Sequence, residues 1–518
     1  MVIEVLKVAS ADGAQLHTEV LLPDVTPAPT VLVRTPYEAA SHRTEARGWN
    51  RRGYAVVIQD VRGRYGSTGC WAPYVHESID GGVAIDAILD ASWCDGRVVC
   101  HGVSYGAHCA VTAAVARPQR VAAVVAAVPA LSLRRVARDR NGTPRLYGHA
   151  WWWLQHGDGP RSRPCPIHGA TASTPGPMAG LPALDIAEAG DVASDTLTEP
   201  WRVGGVPDSS ATNLDPPLSA YPADLPPLLT IGGLHDVFRD DALDLADCWP
   251  AHADAVIGAW QHDLGLVQRL GNGDLQRADG HTRNVGRLII EWLEHVLDTR
   301  RGLSSPRRWL ALEGTDGWAQ ADPGRLPHAV SLSAVRRTFD ADPCDPHPSL
   351  LGPVDLGEVN QREDHARFIS QPFGELMDLA GAPRVVIQGL HAIDVDGEPI
   401  TGPVDWAVRL VWHPADADRA ETGASTVQVA HGLVRTAGTA ATITLPLLCR
   451  RMHPGARLEV QVSAHQFPLY ARDPQDGSEP LAATRLHRAH RTVDTVELHV
   501  TMARDTDPPF VRRHEDRL

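Results

Sequence analysis

Over the first 130 residues, short apolar runs bounded by proline or glycine alternate with stretches whose apolar positions recur at helical spacing. Thr30–Arg34 and Tyr54–Gln59 are β-rich and read as strands. From about Ser78 to Ala91 the spacing of Val83, Ile85, Ile88 and Leu89 predicts a helix with one shared face. Arg97–Cys100 is a further strand, followed by an alanine-rich helix and the apolar strand Val121–Val128. Strands alternating with helices predict a mostly parallel sheet covered on both faces.

The rhythm breaks between about 131 and 222. This stretch is rich in proline and glycine, carries Trp151, Trp152 and Trp153 in succession, and offers only short helical patches such as Leu184–Ala189. Strand-like runs resume at Leu228–Ile231 and Ala255–Ile257, and an amphipathic helix is expected near Gly286–Leu297. An interrupted sheet of this kind implies an inserted cap. Beyond about Ser305 the texture changes to many short alternating runs, among them Val385–Ile387, Val408–Val411, Leu458–Val462 and Val496–Val500. That pattern predicts a β-sandwich or jelly roll of about 200 residues. The expected division is residues 1–130 with 222–303 as one α/β domain, 131–221 as the cap, and 304–518 as the jelly roll.

Composition narrows the class without changing that picture. Hydrophobic residues make up 43% and charged residues 21% of the 518, a globular balance. A net charge of −15 argues against nucleic acid or an anionic membrane as partner. No run of 18 apolar residues occurs, and Met1–Lys7 lacks a basic segment leading into an apolar run, so neither a membrane span nor a secretory leader is expected and the cytoplasm is the default location. Eight cysteines are scattered without a Cys-x-x-Cys pair, which disfavours a zinc site.

The chemistry enters at Gly102-Val103-Ser104-Tyr105-Gly106, between a predicted strand and a predicted helix. Gly-x-Ser-x-Gly in that context is a nucleophile elbow, in which a sharp turn lifts the serine hydroxyl above the sheet of an α/β-hydrolase fold. A serine needs a base to take its proton and an acid to orient that base. In this fold both follow the serine in chain order. Asp236 and His262 lie just past the strands at 228–231 and 255–257, where open α/β sheets build their sites. By pattern alone Asp240, Asp241, His252 and His281 compete with them.

Several ordered segments resemble the cocaine esterase and X-prolyl dipeptidyl-peptidase (CocE/NonD) hydrolases. They are Arg34-Thr35-Pro36-Tyr37, the loop Gln59–Gly69, Trp93–Gly96 before the elbow, Gly232–Asp236, Trp260-Gln261-His262, and Ala380–Pro383, Gly432–Arg435 and Phe467–Tyr470 in the last domain. The resemblance implies Ser104 as nucleophile, His262 as base and Asp236 as orienting acid. It further implies an oxyanion hole made by the Tyr37 hydroxyl and the Tyr105 backbone N–H. Asp60, Arg62 and Trp93 read as scaffold. The chain departs from the family pattern at Gly258-Ala259-Trp260, where a proline is usual, and at His235, where an aromatic is usual.

The expected activity is hydrolysis of a small-molecule ester or amide through an acyl-Ser104 intermediate, without metal or organic cofactor. His235 and Trp151–Trp153 are candidate substrate-binding residues, and a homodimer is compatible with the sequence. Acyl transfer or cyclisation, and an X-prolyl dipeptidyl aminopeptidase, would use the same acyl-enzyme. A catalytically silent binding scaffold is the reading from another class, and intact Ser104, Asp236, His262 and Tyr37 weigh against it.

Overall fold

The computed structural model of the protein describes residues 3–203, 221–264, 269–270, 273–274, 285–298, 305–321, 327–350, 355–416, 418–419 and 425–509. Its framework is an eleven-stranded sheet. Strands β1 (Ile3–Ala9) and β2 (Gln15–Leu21) form an antiparallel edge hairpin. β3 (Ala28–Thr35), β4 (Ala55–Asp60), β5 (Cys94–Val103), β6 (Ala123–Ala127), β7 (Leu228–Gly233) and β8 (Ala253–Gly258) then run parallel in the spatial order β4-β3-β5-β6-β7-β8. The apolar runs of the sequence are these strands. Every residue of β4, β6, β7 and β8 is buried, as a sheet covered on both faces requires.

Helices cover the two faces. Trp49 of α1 (Arg43–Asn50) and Leu288, Ile289, Trp292 and Leu293 of α8 (Val285–Val296) pack on one. Ile85 and Ile88 of α2 (Glu77–Leu89) and the alanines of α3 (Tyr105–Ala116) pack on the other. The buried stripe of α2 differs from the expected one. Asp80, Gly81, Ala84, Ile85 and Ile88 face inward, while Val83 and Leu89 are only half-buried. Helix α3 comes so close that a Cβ on Gly81 would lie 2.6 Å from the Ala113 Cβ, so small residues, not large apolar ones, mark the contact. Asp80 is tolerated there because Arg62 reaches it with two nitrogens, Nε at 3.0 Å and Nη2 at 2.6 Å.

The sheet continues past residue 304. β9 (Arg308–Ala311) pairs parallel with β8, β10 (Trp318–Ala321) pairs antiparallel with β9, and Ala503–Thr506 closes the edge against β10. The rest of the C-terminal part is a β-sandwich. One sheet orders Leu332–Arg336, His365–Ser370, Arg457–Ser463, Val404–His413 and Val427–Thr436; the other contains Thr495–Val500 and Arg384–Gln388. Trp406, Val408, Leu410 and Val460 of the first share a core with Val385, Ile387 and Leu498 of the second.

Between β6 and β7 the described residues hold α4 (Leu133–Ala137), α5 (Leu146–Trp152) and α6 (Ser194–Val203), with short helical turns at Gly176–Ala179 and Ala183–Gly190 between the last two. Trp153, Leu154, Ile186 and Trp201 form a separate small core with Phe467 and Leu481 of the sandwich. A buried guanidinium fastens this insertion to the sheet. Arg64, fully buried, donates from Nε to the Pro36 carbonyl (3.1 Å), from Nη1 to the Gly159 carbonyl (2.7 Å) and from Nη2 to Ser162 Oγ (2.9 Å). The Tyr65 N–H and the Trp71 indole add bonds to the carbonyls of Pro160 and His156, both 2.8 Å.

Arg64→Ala removes three hydrogen bonds and leaves the buried Pro36 carbonyl without this donor, and should cost about 2–3 kcal/mol. Differential scanning calorimetry should show a lower melting temperature, and limited proteolysis should open the chain first near residues 158–162. A variant as resistant there as the parent would show that the insertion is held by other contacts.

Candidate active site

The site is built at the C-terminal ends of β5, β7 and β8. β5 runs directly into α3, and the turn between them is tight enough that a Cβ on Gly102 would stand 2.0 Å from the Gly106 carbonyl oxygen. Glycine is therefore required at 102. Ser104 at the apex takes φ 57° and ψ −121°, a left-handed backbone that a non-glycine residue holds only when its surroundings impose it. Here the imposition is a backbone bond from Ser104 N to the Ala127 carbonyl (2.9 Å), which ties the apex to β6. The result is a half-buried hydroxyl standing above the sheet.

The loop after β7 carries Asp236, and the loop after β8 carries His262. A Cβ on Gly233 would lie 2.2 Å from the Trp260 carbonyl oxygen, so the two loops close on one another only because that position is glycine. His262 Nδ1 lies 2.8 Å from Asp236 Oδ1, and His262 Nε2 lies 3.1 Å from Ser104 Oγ. Asp236 is 3% exposed. Burial pushes the His262 pKa down, but the hydrogen bond and charge of Asp236, helped by Asp263, outweigh it, and the net shift is upward. Half-buried Phe238 packs edge-on against the imidazole, ring centres 5.5 Å apart.

The remaining sequence candidates divide. Tyr37, half-buried beyond the end of β3, accepts a hydrogen bond from the Trp152 indole N–H at 2.9 Å. Burial raises its hydroxyl to about 12, while the Trp152 indole and the neighbouring Ser104 hydroxyl pull the other way. Tyr105 is the first residue of α3, where a backbone N–H has no acceptor within the helix. Its side chain is spent elsewhere, donating to Glu77 Oε1 (2.5 Å) and accepting from the Tyr74 N–H (2.8 Å). Trp152 stacks on the Tyr105 ring, 13° from parallel with centres 5.5 Å apart. This one indole thus touches both oxyanion candidates.

The other two tryptophans of the run face the insertion. Trp151 donates to His168 Nδ1 at 3.3 Å; Trp153, 2% exposed, packs in the insertion's own core beside His149. His235 lies against Glu313 (Nε2 to Oε1, 2.8 Å), which Arg450 also holds at 3.1 Å. It is a structural contact by its surroundings. Of the rival triad residues, Asp240 accepts from the Leu447 N–H (3.0 Å), Asp241 is paired with Arg135, and His252 lies 2.9 Å from Asp254. His281 lies outside the described residues.

Sequence reasoning missed two neighbours of the site, Phe238 and Arg145. Arg145 sits with its Cζ 6.0 Å from the Phe238 ring centre. No local motif marks either; only their packing does. Among the described residues, the grouping with metal-ligand spacing is His347, Asp364 and His365 in the sandwich, with ligand atoms within 4.8 Å of one another. Two of its three residues already face cations: Arg362 grips Asp364 (Nη2 to Oδ2, 2.7 Å), and Arg409 Nη1 lies 2.9 Å from His347 Nε2. A metal ion would have to displace both guanidinium groups.

A family model described as X-Pro dipeptidyl-peptidase (S15 family) matches residues 12–263. The chain is 25% identical over 567 aligned residues to the cocaine esterase of Rhodococcus sp. (strain MB1 Bresler), spanning 93% of this chain and 94% of that one. Its fold is shared by an aminopeptidase from the marine sediment archaeon Thaumarchaeota archaeon (TM-score 0.79, 20% identity, 97% and 96% of the two chains). An alpha-amino acid ester hydrolase shares it as well (TM-score 0.77, 20% identity, the same coverage). The fold is that of an α/β-hydrolase carrying a C-terminal β domain. Over residues 12–263 the chain is thus similar to the X-Pro dipeptidyl-peptidase (S15) family, and it is a serine hydrolase of esters or amides.

Proposed function

We propose that the protein cleaves a carboxylic ester or amide of a small molecule through an acyl-Ser104 intermediate, with His262 as general base and Asp236 as its orienting acid. The observation that carries this reading is the unbroken chain of hydrogen-bond distances, 2.8 Å from Asp236 to His262 and 3.1 Å from His262 to Ser104, across three separate loops. Asp236 holds the imidazole in the tautomer with hydrogen on Nδ1, leaving Nε2 free to take the serine proton as Oγ attacks the carbonyl carbon. The protonated imidazole then returns that proton to the departing alcohol or amine. Water, activated by the same nitrogen, releases the acid and restores Ser104.

Negative charge collects on the former carbonyl oxygen, and the proposed donors to it are the Tyr37 hydroxyl and the Tyr105 N–H. Trp152 decides which way the Tyr37 hydroxyl acts. An indole N–H can only donate, so at 2.9 Å the Tyr37 oxygen must be the acceptor. The hydroxyl hydrogen is left for a second partner, and a hydroxyl that accepts a bond becomes a better donor. Trp152 is in this reading a positioning residue for the oxyanion hole.

Ser104→Ala should abolish turnover of activated esters without changing the melting temperature. A fluorophosphonate probe should label the parent at Ser104 and leave the variant untouched; labelling at another residue would overturn the mechanism.

Tyr37→Phe should lower kcat by about 10²-fold with KM little changed. Trp152→Phe keeps a stacked ring but removes the N–H, and should lower kcat by roughly tenfold. The double variant should be no slower than Tyr37→Phe alone, because both changes remove one function. Additive losses would show that Trp152 acts by packing only.

The base assignment predicts activity that rises with pH as His262 loses its proton. Because the imidazolium is stabilised, the midpoint should lie above the ordinary value of about 6.5. In a Ser104→Ala background, NMR titration of His262 should give the same raised midpoint. Adding Asp236→Asn should bring it down, since burial is then opposed only by the charge of Asp263. A midpoint unmoved by Asp236→Asn would remove Asp236 from its role.

A further inference from the structure

We infer that Arg145 is a recognition group for an anionic substituent of the substrate, so that the preferred ester or amide carries a carboxylate on its acyl part. This deepens the proposed function and rests on Ser104 being the nucleophile.

The inference starts from an unanswered charge. Among the described residues, the Arg145 guanidinium makes no hydrogen bond and no ion pair, although the residue is half-buried. Only its backbone is engaged, the N–H with the Ala137 carbonyl (2.8 Å) and the carbonyl with the Trp201 indole (3.2 Å). A half-buried guanidinium with five N–H donors and no protein acceptor keeps those donors open to an incoming one.

Its nearest acids are already committed. Asp139 accepts from the Tyr470 hydroxyl (2.8 Å) and from the backbone N–H groups of Asn141 and Thr143 (2.9 Å each). Asp241 is paired with Arg135. Both carboxyls feel the Arg145 charge, which opposes the upward push of burial on each, but neither hydrogen-bonds to it. His431 cannot answer it either. Burial, together with the charges of Arg239, Arg409 and Arg145, holds that imidazole at about 3, so it is neutral near pH 7.

Position supplies the second half of the inference. One aromatic ring separates this guanidinium from the catalytic imidazole: Arg145 Cζ stands 6.0 Å from the centre of Phe238, and Phe238 stands 5.5 Å from the centre of His262. A short acyl chain lying along Phe238 would have its carbonyl at Ser104 and its far end at Arg145. The planar fork suits a carboxylate, which it can bind with two parallel hydrogen bonds, and the Phe238 face restricts its motion. The same charge would oppose an acyl group ending in an ammonium.

The test uses three p-nitrophenyl esters of matched length, ending in a methyl, a carboxylate or an ammonium group. In the parent, kcat/KM should be at least about tenfold higher for the carboxylate ester than for the neutral one, and lower for the ammonium ester. Arg145→Gln should collapse the carboxylate-to-neutral ratio towards one. Arg140→Gln removes a charge from the same loop, from a side chain near Asp240 and Asp244 (3.6 Å each), and should preserve the ratio. A ratio near one in the parent, or unchanged in Arg145→Gln, overturns the proposal. If Arg145 merely balanced Asp139 and Asp241, its loss would lower the melting temperature and slow all three esters alike. Calorimetric binding of monomethyl glutarate to Ser104→Ala, and its loss on adding Arg145→Gln, reads the subsite without turnover. Binding with no turnover of any ester by the parent would fault the hydrolase reading alone, and absence of binding would fault Arg145.

Discussion

Everything at this site depends on how closely the chain passes itself at Gly102 and Gly106. With the Gly106 carbonyl oxygen 2.0 Å from where a side chain at 102 would begin, strand β5 has no room for a loop before α3. Ser104 is forced into a backbone conformation it would not choose, and the bond to Ala127 keeps it there. Two consequences follow from that single crossing. The hydroxyl is presented above the sheet, and the N–H of Tyr105 opens a helix with no acceptor of its own. The proposed nucleophile and one proposed oxyanion donor are therefore products of the same turn. A second close crossing, Gly233 against Trp260, brings the acid and base loops together. Groups 158 residues apart in sequence meet at 3.1 Å because two pairs of backbone segments lack side chains between them.

The other oxyanion candidate depends on a different part of the molecule. Tyr37 follows β3, yet the donor that fixes its hydroxyl comes from α5 of the insertion. Arg64 bonds at once to Pro36, the residue before Tyr37, and to Gly159 and Ser162 of the insertion. Displacing the insertion would strand a buried guanidinium and remove the Trp152 donor in the same motion. The segment between β6 and β7 is thus joined to the catalytic geometry, and a lid that swung freely would break it.

What was legible in the sequence was what short-range pattern encodes. The buried parallel strands are plain apolar runs, and the elbow is a five-residue motif between a strand and a helix. The edges are less plain: β9, β10 and Ala503–Thr506 are four residues each, with arginine, glutamine or aspartate among them, and only pairing with a neighbour makes them strands. Asp236 could not be told from Asp240 and Asp241 by position, because the partners that engage the latter two are remote. Asp240 is taken by Leu447, 207 residues on, and Asp241 by Arg135, 106 residues back. The three consecutive tryptophans look alike in sequence, yet successive residues of a helix point about 100° apart. Trp152 reaches Tyr37, Trp151 reaches His168, and Trp153 enters a core.

Charge around the site works against the charge of the whole. The chain carries a net −15, which would repel an anionic substrate at long range, but salt screens that field beyond roughly 8 Å under physiological conditions. Inside a half-buried site screening is weak, and the sign of the nearest unpaired group governs. On one side of the His262 imidazole that sign is fixed by Asp236, whose charge raises the imidazole pKa. Across the Phe238 ring it is fixed by Arg145, whose guanidinium hydrogen-bonds to nothing among the described residues. The acid can then raise the imidazole while the guanidinium stays available to whatever the acyl chain brings.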